Sequence, residues 1–191
     1  IANRNGRAIR FNESTVRNMG RGATGVKAMR LDEDAEDQIV GMIALTKPEG
    51  YDEENEENET DEALYPDMPT ILVLSEKGVG KRSTIGEYRI TNRNGKGVKT
   101  INITEKTGKL VAIKKVMENE DIMIINKSGV TIRLAVEDIK KSSRNTQGVK
   151  LIDIQKRNDV ISSVCVVEHT DESETCDNEA SETSETINTQ E

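Results

Sequence analysis

Short apolar runs that end in tight-turn residues recur along this chain. Ile71–Leu74 and Ile122–Ile125 are each followed within four residues by a Lys-Gly or Ser-Gly pair. Asn5-Gly6 stands at the same place near the start of the chain, and Asn-Gly is a strong signal for a two-residue hairpin turn. Runs of this length with such boundaries are typical of β-strands. The pattern therefore predicts a series of β-hairpins.

Two further kinds of strand follow each hairpin. Apolar and polar positions alternate from Val26 to Leu31 and from Val98 to Ile103, as in strands with one buried face. After a polar turn, a closing strand is predicted at Ile39–Leu45, Leu110–Val116 and Val160–Val167. Each unit then has about four strands, and no segment has the apolar spacing of a convincing amphipathic helix. An all-β fold is predicted.

The strands belong to one template that occurs three times. Gly6, Gly78 and Gly129 each begin a unit, and a Gly-Val-Lys segment starts 19 residues later in every case. The second and third units lie 51 residues apart, which suits one four-stranded propeller blade. The first and second lie 72 apart, and an acidic insert accounts for the excess. The predicted segments are a first unit at 1–47, the insert at 48–69, a second unit at 70–117, a third unit at 118–167 and an acidic tail at 168–191.

Each unit repeats four cations as well as its apolar positions. An apolar core has no need of arginine, so the repeated set indicates one kind of contact that is made several times. These cations are Arg10, Arg17, Arg21 and Lys27 in the first unit, Arg82, Arg89, Arg93 and Lys99 in the second, and Arg133, Lys140, Arg144 and Lys150 in the third.

The formal net charge of −8 hides a basic body. Pro48–Pro69 holds ten acidic residues and the segment from Glu168 to Glu191 holds nine, and neither contains Lys or Arg. The other 145 residues carry 16 acids against all 27 Lys and Arg, about +11. Such asymmetry indicates contact with nucleic acid or a membrane, and no apolar run approaches the 18 residues of a membrane span. We expect the insert to be a mobile loop, and the tail to be disordered and to compete with a polyanionic partner for the cations.

Several motifs for chemistry fail on inspection. Gly20–Gly25 spells the dinucleotide-binding pattern but precedes a strand instead of opening a helix. Gly78–Ser83 resembles a phosphate loop, yet an arginine stands where that loop needs Ser or Thr. Cys165 and Cys176 have no metal-ligand spacing, and His169 is the only histidine. We therefore expect no catalytic residue, no metal and no cofactor in this chain, and a reducing cytoplasm as its location.

The order and spacing of the units resemble a known family. The phrases Gly-Lys-Arg-Ser at 80–83 and Arg-Asn-Thr-Gln-Gly-Val-Lys at 144–150 are similar to the C-terminal domain of the bacterial DNA gyrase A protein. The resemblance covers the chain up to about Val167, apart from the insert. It implies a β-pinwheel, a propeller-like disc whose basic rim wraps double-stranded DNA. It also implies a nucleoid-associated holoenzyme with the rest of gyrase A and with gyrase B, which uses ATP and Mg²⁺ for negative supercoiling.

The resemblance is incomplete in one respect. The family's box, Gln-Arg-Arg-Gly-Gly-Arg-Gly, occurs here only as partial copies that keep an arginine (Arg21, Arg93, Arg144) and the last glycine. Neither the active-site tyrosine nor the cleavage domain is present, and the chain opens inside a strand-like run. We expect the last three blades and the tail of a longer protein. The C protein of topoisomerase IV shares the fold and stays an alternative, as does a propeller that binds proteins and no nucleic acid.

All twelve repeated cations are candidate DNA-binding residues. Lys and Arg that neutralise phosphates bind duplex DNA without sequence preference, and few aromatic residues are present to stack on single-stranded bases. Most of the twelve should then lie exposed along one edge of the disc. Some could instead brace the loops between blades, and any one could be an ordinary solvated loop residue. The repeated glycines are better explained by left-handed turns than by close approach to phosphate.

Overall fold

The computed structural model describes residues 1–33, 37–46, 68–154 and 159–169, which form strands, turns and short 3-10 segments. Almost all of the acidic insert and the tail beyond His169 lie outside these residues, and so do the predictions made for them. The strands are, in chain order, β1 (Ala2–Asn3), β2 (Arg7–Ala8), β3 (Ile39–Gly41), β4 (Thr70–Ser75), β5 (Val79–Thr84), β6 (Val98–Lys99), β7 (Leu110–Val116), β8 (Glu120–Asn126), β9 (Thr131–Ala135), β10 (Val149–Lys150) and β11 (Ile161–Glu168).

The described strands form three antiparallel sheets. The first has the order β3-β1-β2-β6, the second β10-β5-β4-β7, and the third β11-β8-β9. The hairpins predicted from the glycine turns are present as β1–β2, β4–β5 and β8–β9. The closing strands are also present, and β7 has the predicted bounds. An all-β fold with four-stranded sheets is thus confirmed.

The outermost strand of each four-stranded sheet comes from the following unit. In the first sheet β6, from the second unit, pairs with β2 and places Lys99 opposite Arg7. In the second sheet β10, from the third unit, pairs with β5 and places Lys150 opposite Val79. The expectation that one unit supplies all four strands of its own blade is therefore corrected. Periodicity shows that a segment is a strand, but it does not show which neighbour the backbone groups bond to.

The ends of the series lack these partners within the described residues. The outer side of β9 has no strand beside it, and the first unit's Gly-Val-Lys segment at 25–27 forms no ladder. The alternating strand predicted at Val26–Leu31 is not formed, apart from an isolated bridge between Met29 and Gly95, and the one predicted at Val98–Ile103 is shorter than expected. In the second unit only β6 is regular, because the chain turns inward after Lys99 and buries Ile101.

The apolar core lies between neighbouring sheets. All six residues of β4 are buried, and alternate side chains point to opposite neighbours. Ile71 and Val73 pack in a cluster with Ala8 of the first unit, whereas Leu72 and Leu74 pack in a cluster with third-unit residues. Burying one such aliphatic side chain is worth roughly 1.5–3 kcal/mol. The second sheet is consequently stabilised by the neighbouring units on both sides.

Contacts between sheets show which strand of each sheet lies on the inside and which lies on the outside. The closing strand β7 packs against β3 on one side and β11 on the other. The strands β3, β7 and β11 therefore lie together at the inner edges of their sheets. At the opposite, outer edges of the two four-stranded sheets lie β6 and β10, which carry the Gly-Val-Lys segments.

The glycine that begins each exchanged segment leaves no room for a side chain, because the backbone of the preceding unit lies against it. Gly97 has φ +71°, and a Cβ placed on it would overlap the carbonyl oxygen of Ala8. Its equivalent Gly25 has φ +86° and no atom within 4 Å of such a Cβ. The left-handed turns predicted for the repeated glycines are confirmed at all six positions.

Gly97→Ala should destabilise the fold much more than Gly25→Ala. Both substitutions place a Cβ in the left-handed region, which costs about 1 kcal/mol. Only Gly97→Ala also forces β6 away from β2, so we expect its total cost to be about 3 kcal/mol or more. Urea unfolding of the two variants measures this difference. Equal losses of stability would show that close packing of β6 on the first unit is not required.

Candidate nucleic-acid interface

The structure separates the twelve repeated cations by exposure. Arg82 is buried, Arg10, Arg93 and Arg144 are half-buried, and the other eight are exposed. The exposed ones are Arg17, Arg21, Lys27, Arg89, Lys99, Arg133, Lys140 and Lys150.

The lysines of the exchanged strands lie at the outer edge of the sheets. Lys99 is on β6 and Lys150 is on β10, and both are exposed. Lys27 stands at the same template position in the first unit and is exposed as well. Lys150 has an acidic neighbour, with its Nζ 3.2 Å from Asp153 Oδ1, but the pair is on the surface and is worth less than about 1 kcal/mol. These three lysines are called the edge lysines below.

The second cation of each template follows a short turn at the end of the hairpin. Arg17 comes two residues after the 3-10 segment Glu13–Thr15, and Arg89 two residues after Ile85–Glu87. Lys140 is the equivalent residue in the third unit, and all three are exposed. Their positive charges are therefore presented to solvent beside the junctions between units.

The first arginine of the template links its own unit to the next one. Arg82 donates from Nε to the carbonyl of Ile139 at 2.6 Å and from Nη2 to that of Glu137 at 3.3 Å. Arg10 donates from Nη1 to the carbonyl of Tyr88 at 3.2 Å. Tyr88 and Ile139 occupy the same template position, so the link repeats at both junctions. Arg82, only 3% exposed, is a brace between blades and does not face a ligand.

Arg133 has the same template position but a different environment. Its Nε donates to Asp121 Oδ2 at 2.6 Å, and its Nη2 donates to the Glu168 carbonyl at 3.2 Å. His169 Nδ1 lies 2.8 Å from the other oxygen of Asp121. Hydrogen bonds from His169 and then Arg133 hold the pKa of Asp121 below its ordinary value. Glu168 and His169, predicted to begin the disordered tail, are therefore ordered against β8, and Glu168 is the last residue of β11.

The third arginine of the template links its unit to the preceding one. Arg93 donates from Nη1 to the carbonyl of Lys27 at 2.6 Å, and from Nε to that of Thr15 at 3.3 Å. Arg144 donates from Nη1 to the carbonyl of Lys99 at 3.1 Å. Arg21, at the same position in the first unit, is exposed. At both junctions, therefore, the arginine kept in the partial copy of the family's box (Arg93 or Arg144) donates to the backbone carbonyl of an edge lysine.

Lys81 is a further cation between units, and it was not among the twelve predicted DNA-binding residues. Its side chain is completely buried, and Nζ donates to the carbonyls of Ser143 at 2.6 Å and Thr146 at 3.0 Å. Burial lowers its pKa to about 8. Ile9 and Ile132 stand at the same template position. The sequence did carry a signal that the Lys81 side chain points inward, because the other two units have an apolar residue at this position.

The structure also places the other motifs that were considered for chemistry. No group of three or more His, Cys, Asp or Glu side chains in the described part of the chain could hold a metal ion. The segment that resembles a phosphate loop lies in the β4–β5 turn and in β5 itself, with its lysine buried. Within the same residues, no helix has the length and apolar character needed to cross a membrane.

Comparison with known proteins gives one consistent result. Residues 1–46, 69–117 and 120–167 match the family described as the DNA gyrase C-terminal domain, a β-propeller. The DNA gyrase A protein of Deinococcus deserti is 40% identical over 163 residues, which are 85% of this chain and 18% of that protein. The chain therefore spans less than a fifth of the length of this curated relative.

Two solved structures share the fold. The C-terminal domain of DNA topoisomerase IV superposes with a TM-score of 0.70 and 24% identity, over 87% of this chain and 45% of that one. The DNA gyrase A C-terminal domain superposes with a TM-score of 0.68 and 23% identity, over 86% of this chain and 48% of that one. At these identities the two superpositions establish a shared fold and nothing finer.

Arg82→Ala should destabilise the fold by about 3 kcal/mol, because it leaves the carbonyl of the buried Ile139 without its donor and also removes the bond to Glu137. Arg89→Ala removes an exposed charge seven residues away and should change stability by less than about 0.5 kcal/mol. Thermal unfolding of both variants tests the division into bracing and exposed cations. Similar small losses in the two variants would mean that the first arginine is not a brace.

The buried lysine also gives the fold a pH dependence. In the unfolded chain Lys81 has its ordinary pKa of 10.5, and burial lowers the pKa to about 8 in the folded chain. Between these values the unfolded state binds more protons, so this lysine's contribution to stability rises with pH from about 8 to 10.5. Unfolding of the wild type and Lys81→Met should be compared across this window. Parallel pH profiles would show that Lys81 keeps an ordinary pKa in the fold.

Proposed function

The chain belongs to the DNA gyrase C-terminal domain family, and on this basis we propose that it binds double-stranded DNA along the outer edge of its blades and bends it. The observation that supports the proposal most directly is the position of the edge lysines. In both four-stranded sheets the outermost strand ends in an exposed lysine, and the first unit presents an equivalent one.

The partner is identified by charge. A row of Lys and Arg at repeated positions matches the phosphates of a nucleic acid, and binding releases the counterions condensed on them. Contacts with phosphate fix the position of the DNA and carry no base information, so we expect binding without sequence preference. Arg17, Arg89 and Lys140 are exposed near the same junctions and extend the positive surface.

A duplex fits this surface better than a single strand. Single-strand binding proteins usually offer aromatic side chains on which bases stack. Here Tyr88 is buried at 5% exposure and Phe11 is half-buried, whereas the other two tyrosines lie outside the described residues. A duplex that follows successive blades must bend, and the cost of bending is offset by the added phosphate contacts.

The whole enzyme is inferred from the family. We place this chain within a gyrase A protein that acts with gyrase B on the cytoplasmic chromosome. Bending of DNA on the disc would assist negative supercoiling, for which the rest of gyrase A and gyrase B supply strand cleavage, ATP and Mg²⁺. This chain needs no cofactor for its own part. A gyrase is favoured over topoisomerase IV because the relative at 40% identity is a DNA gyrase A protein.

The edge lysines can be tested together by a triple substitution, Lys27→Ala, Lys99→Ala and Lys150→Ala. The slope of log affinity against log salt is negative, and each lost phosphate contact reduces its magnitude by about 0.9. The slope of the triple variant should therefore be smaller in magnitude than that of the wild type by about 2.7. Affinity for a random-sequence duplex should be measured from about 50 to 200 mM salt, where each contact changes affinity by about 3.5-fold.

A matched variant separates position from net charge. Lys106, Lys115 and Lys127 are also exposed, but none is on an exchanged strand, and Lys115 is on the inner strand β7. Replacing all three with Ala removes the same charge and should leave the slope nearly unchanged. Equal effects of the two triple variants would contradict a defined DNA-binding edge. Absence of duplex binding by the wild type would favour a propeller that binds proteins.

A further inference from the structure

Two arginines from the partial copies of the family's box hold the backbone of the lysines that the proposed function assigns to DNA. Arg93 bonds the Lys27 carbonyl at 2.6 Å, and Arg144 bonds the Lys99 carbonyl at 3.1 Å. In each case the arginine belongs to the unit that follows the lysine. The same bond forms at each of the two junctions, so it is a property of the repeated template and not of one particular loop.

Lys99 is held by all three units as a result. It belongs to the second unit, pairs with Arg7 of the first unit in the sheet, and accepts the bond from Arg144 of the third. The first unit holds both sides of the lysine, because Arg7 Nη1 donates to the Gly97 carbonyl at 3.3 Å and the Gly6 carbonyl accepts from Thr100 at 2.9 Å. Movement of any unit relative to its neighbours would move this lysine.

Arg144 is itself fixed from the second unit. Its backbone N–H donates to Glu87 Oε2 at 2.7 Å, and the hydroxyl of Ser143 donates to the same oxygen at 3.0 Å. Arg93 is held by two carbonyls of the first unit at once, through Nε to Thr15 and Nη1 to Lys27. A planar guanidinium can make such a fork, whereas a lysine ammonium at the same position cannot reproduce its geometry.

We propose that Arg93 and Arg144 are positioning residues that set the places of Lys27 and Lys99 along the DNA-binding edge. Their guanidinium groups are directed at protein carbonyls and do not have to touch phosphate themselves. A lysine side chain is long and flexible, so fixing its backbone lowers the entropy lost when its ammonium binds. This inference rests on the proposed function, because it explains how the edge lysines reach the spacing that a bent duplex presents.

Crossed double-mutant cycles test the assignment. The linked pairs are Arg144 with Lys99 and Arg93 with Lys27, and the unlinked pairs are Arg144 with Lys27 and Arg93 with Lys99. Arg144→Gln should weaken duplex binding roughly tenfold, the scale of one charge-assisted hydrogen bond. In the Lys99→Ala background the same change should have little effect, because no ammonium remains to be positioned. In the Lys27→Ala background it should keep its full effect.

Substitutions of Arg93 give a second test, and one of them preserves the positive charge. Arg93→Lys keeps the positive charge but loses the fork to two carbonyls, so we expect it to weaken binding nearly as much as Arg93→Gln. This loss should disappear in the Lys27→Ala background. An arginine that binds phosphate directly would instead be replaced well by lysine, and its effect would be the same in every background. Either result would overturn the inference.

Hydrogen exchange without DNA tests the bond itself. The Thr100 amide donates to the Gly6 carbonyl beside Lys99, and Arg144→Gln should speed its exchange roughly tenfold. Lys115→Gln, on the inner strand, should leave that exchange unchanged. Unchanged exchange in Arg144→Gln would overturn the positioning role. If Lys99→Ala bound DNA as tightly as the wild type, the assignment of Lys99 to DNA would fall, and the inference with it, even with the exchange result intact.

Discussion

The exchange of one strand between consecutive units is the constraint on which the rest of this structure depends. A sheet whose outer strand belongs to the next unit cannot be completed by its own segment alone. The repeated glycine lets that strand lie against the preceding backbone, and the apolar clusters between sheets close around it. The hydrogen bonds of the exchanged strand and the apolar core therefore both fix the position of one unit relative to the next. One consequence is that the exposed edge lysines are held by two or three units.

Positive charge has two separate uses in this fold. At the first and third cation of the template, arginine donates to carbonyls across a junction, forward from Arg10 and Arg82 and backward from Arg93 and Arg144. Guanidinium groups suit this use because they stay charged and offer several donors in one plane. At the other positions the cations are exposed. A basic repeat of this kind combines a scaffold with an exposed positive surface, and its net charge overstates the number of cations that lie in contact with solvent.

The sequence was sufficient for the fold class and for the residues that recur, because both depend on local periodicity and turn chemistry. The hairpins at Gly6, Gly78 and Gly129 and the bounds of β7 follow from such signals. Strand exchange did not follow, since a two-residue strand such as β6 has too few positions to identify its partner. The braces were foreseen only as a possibility for unnamed members of the set. Arg82 and Arg89 look alike in sequence, and only the packing of the next unit makes one buried and the other exposed.

We propose above all that cations spaced by exchanged strands bend a duplex along the blades. The most direct measurement is energy transfer between dyes at the two ends of a random-sequence duplex of about 40 base pairs. This length is well below the persistence length of about 150 base pairs, so the free duplex is nearly straight. We predict that energy transfer rises as the chain saturates the duplex and falls again as salt dissociates the complex. Saturable binding with unchanged transfer would contradict this prediction, because the cations would then hold straight DNA.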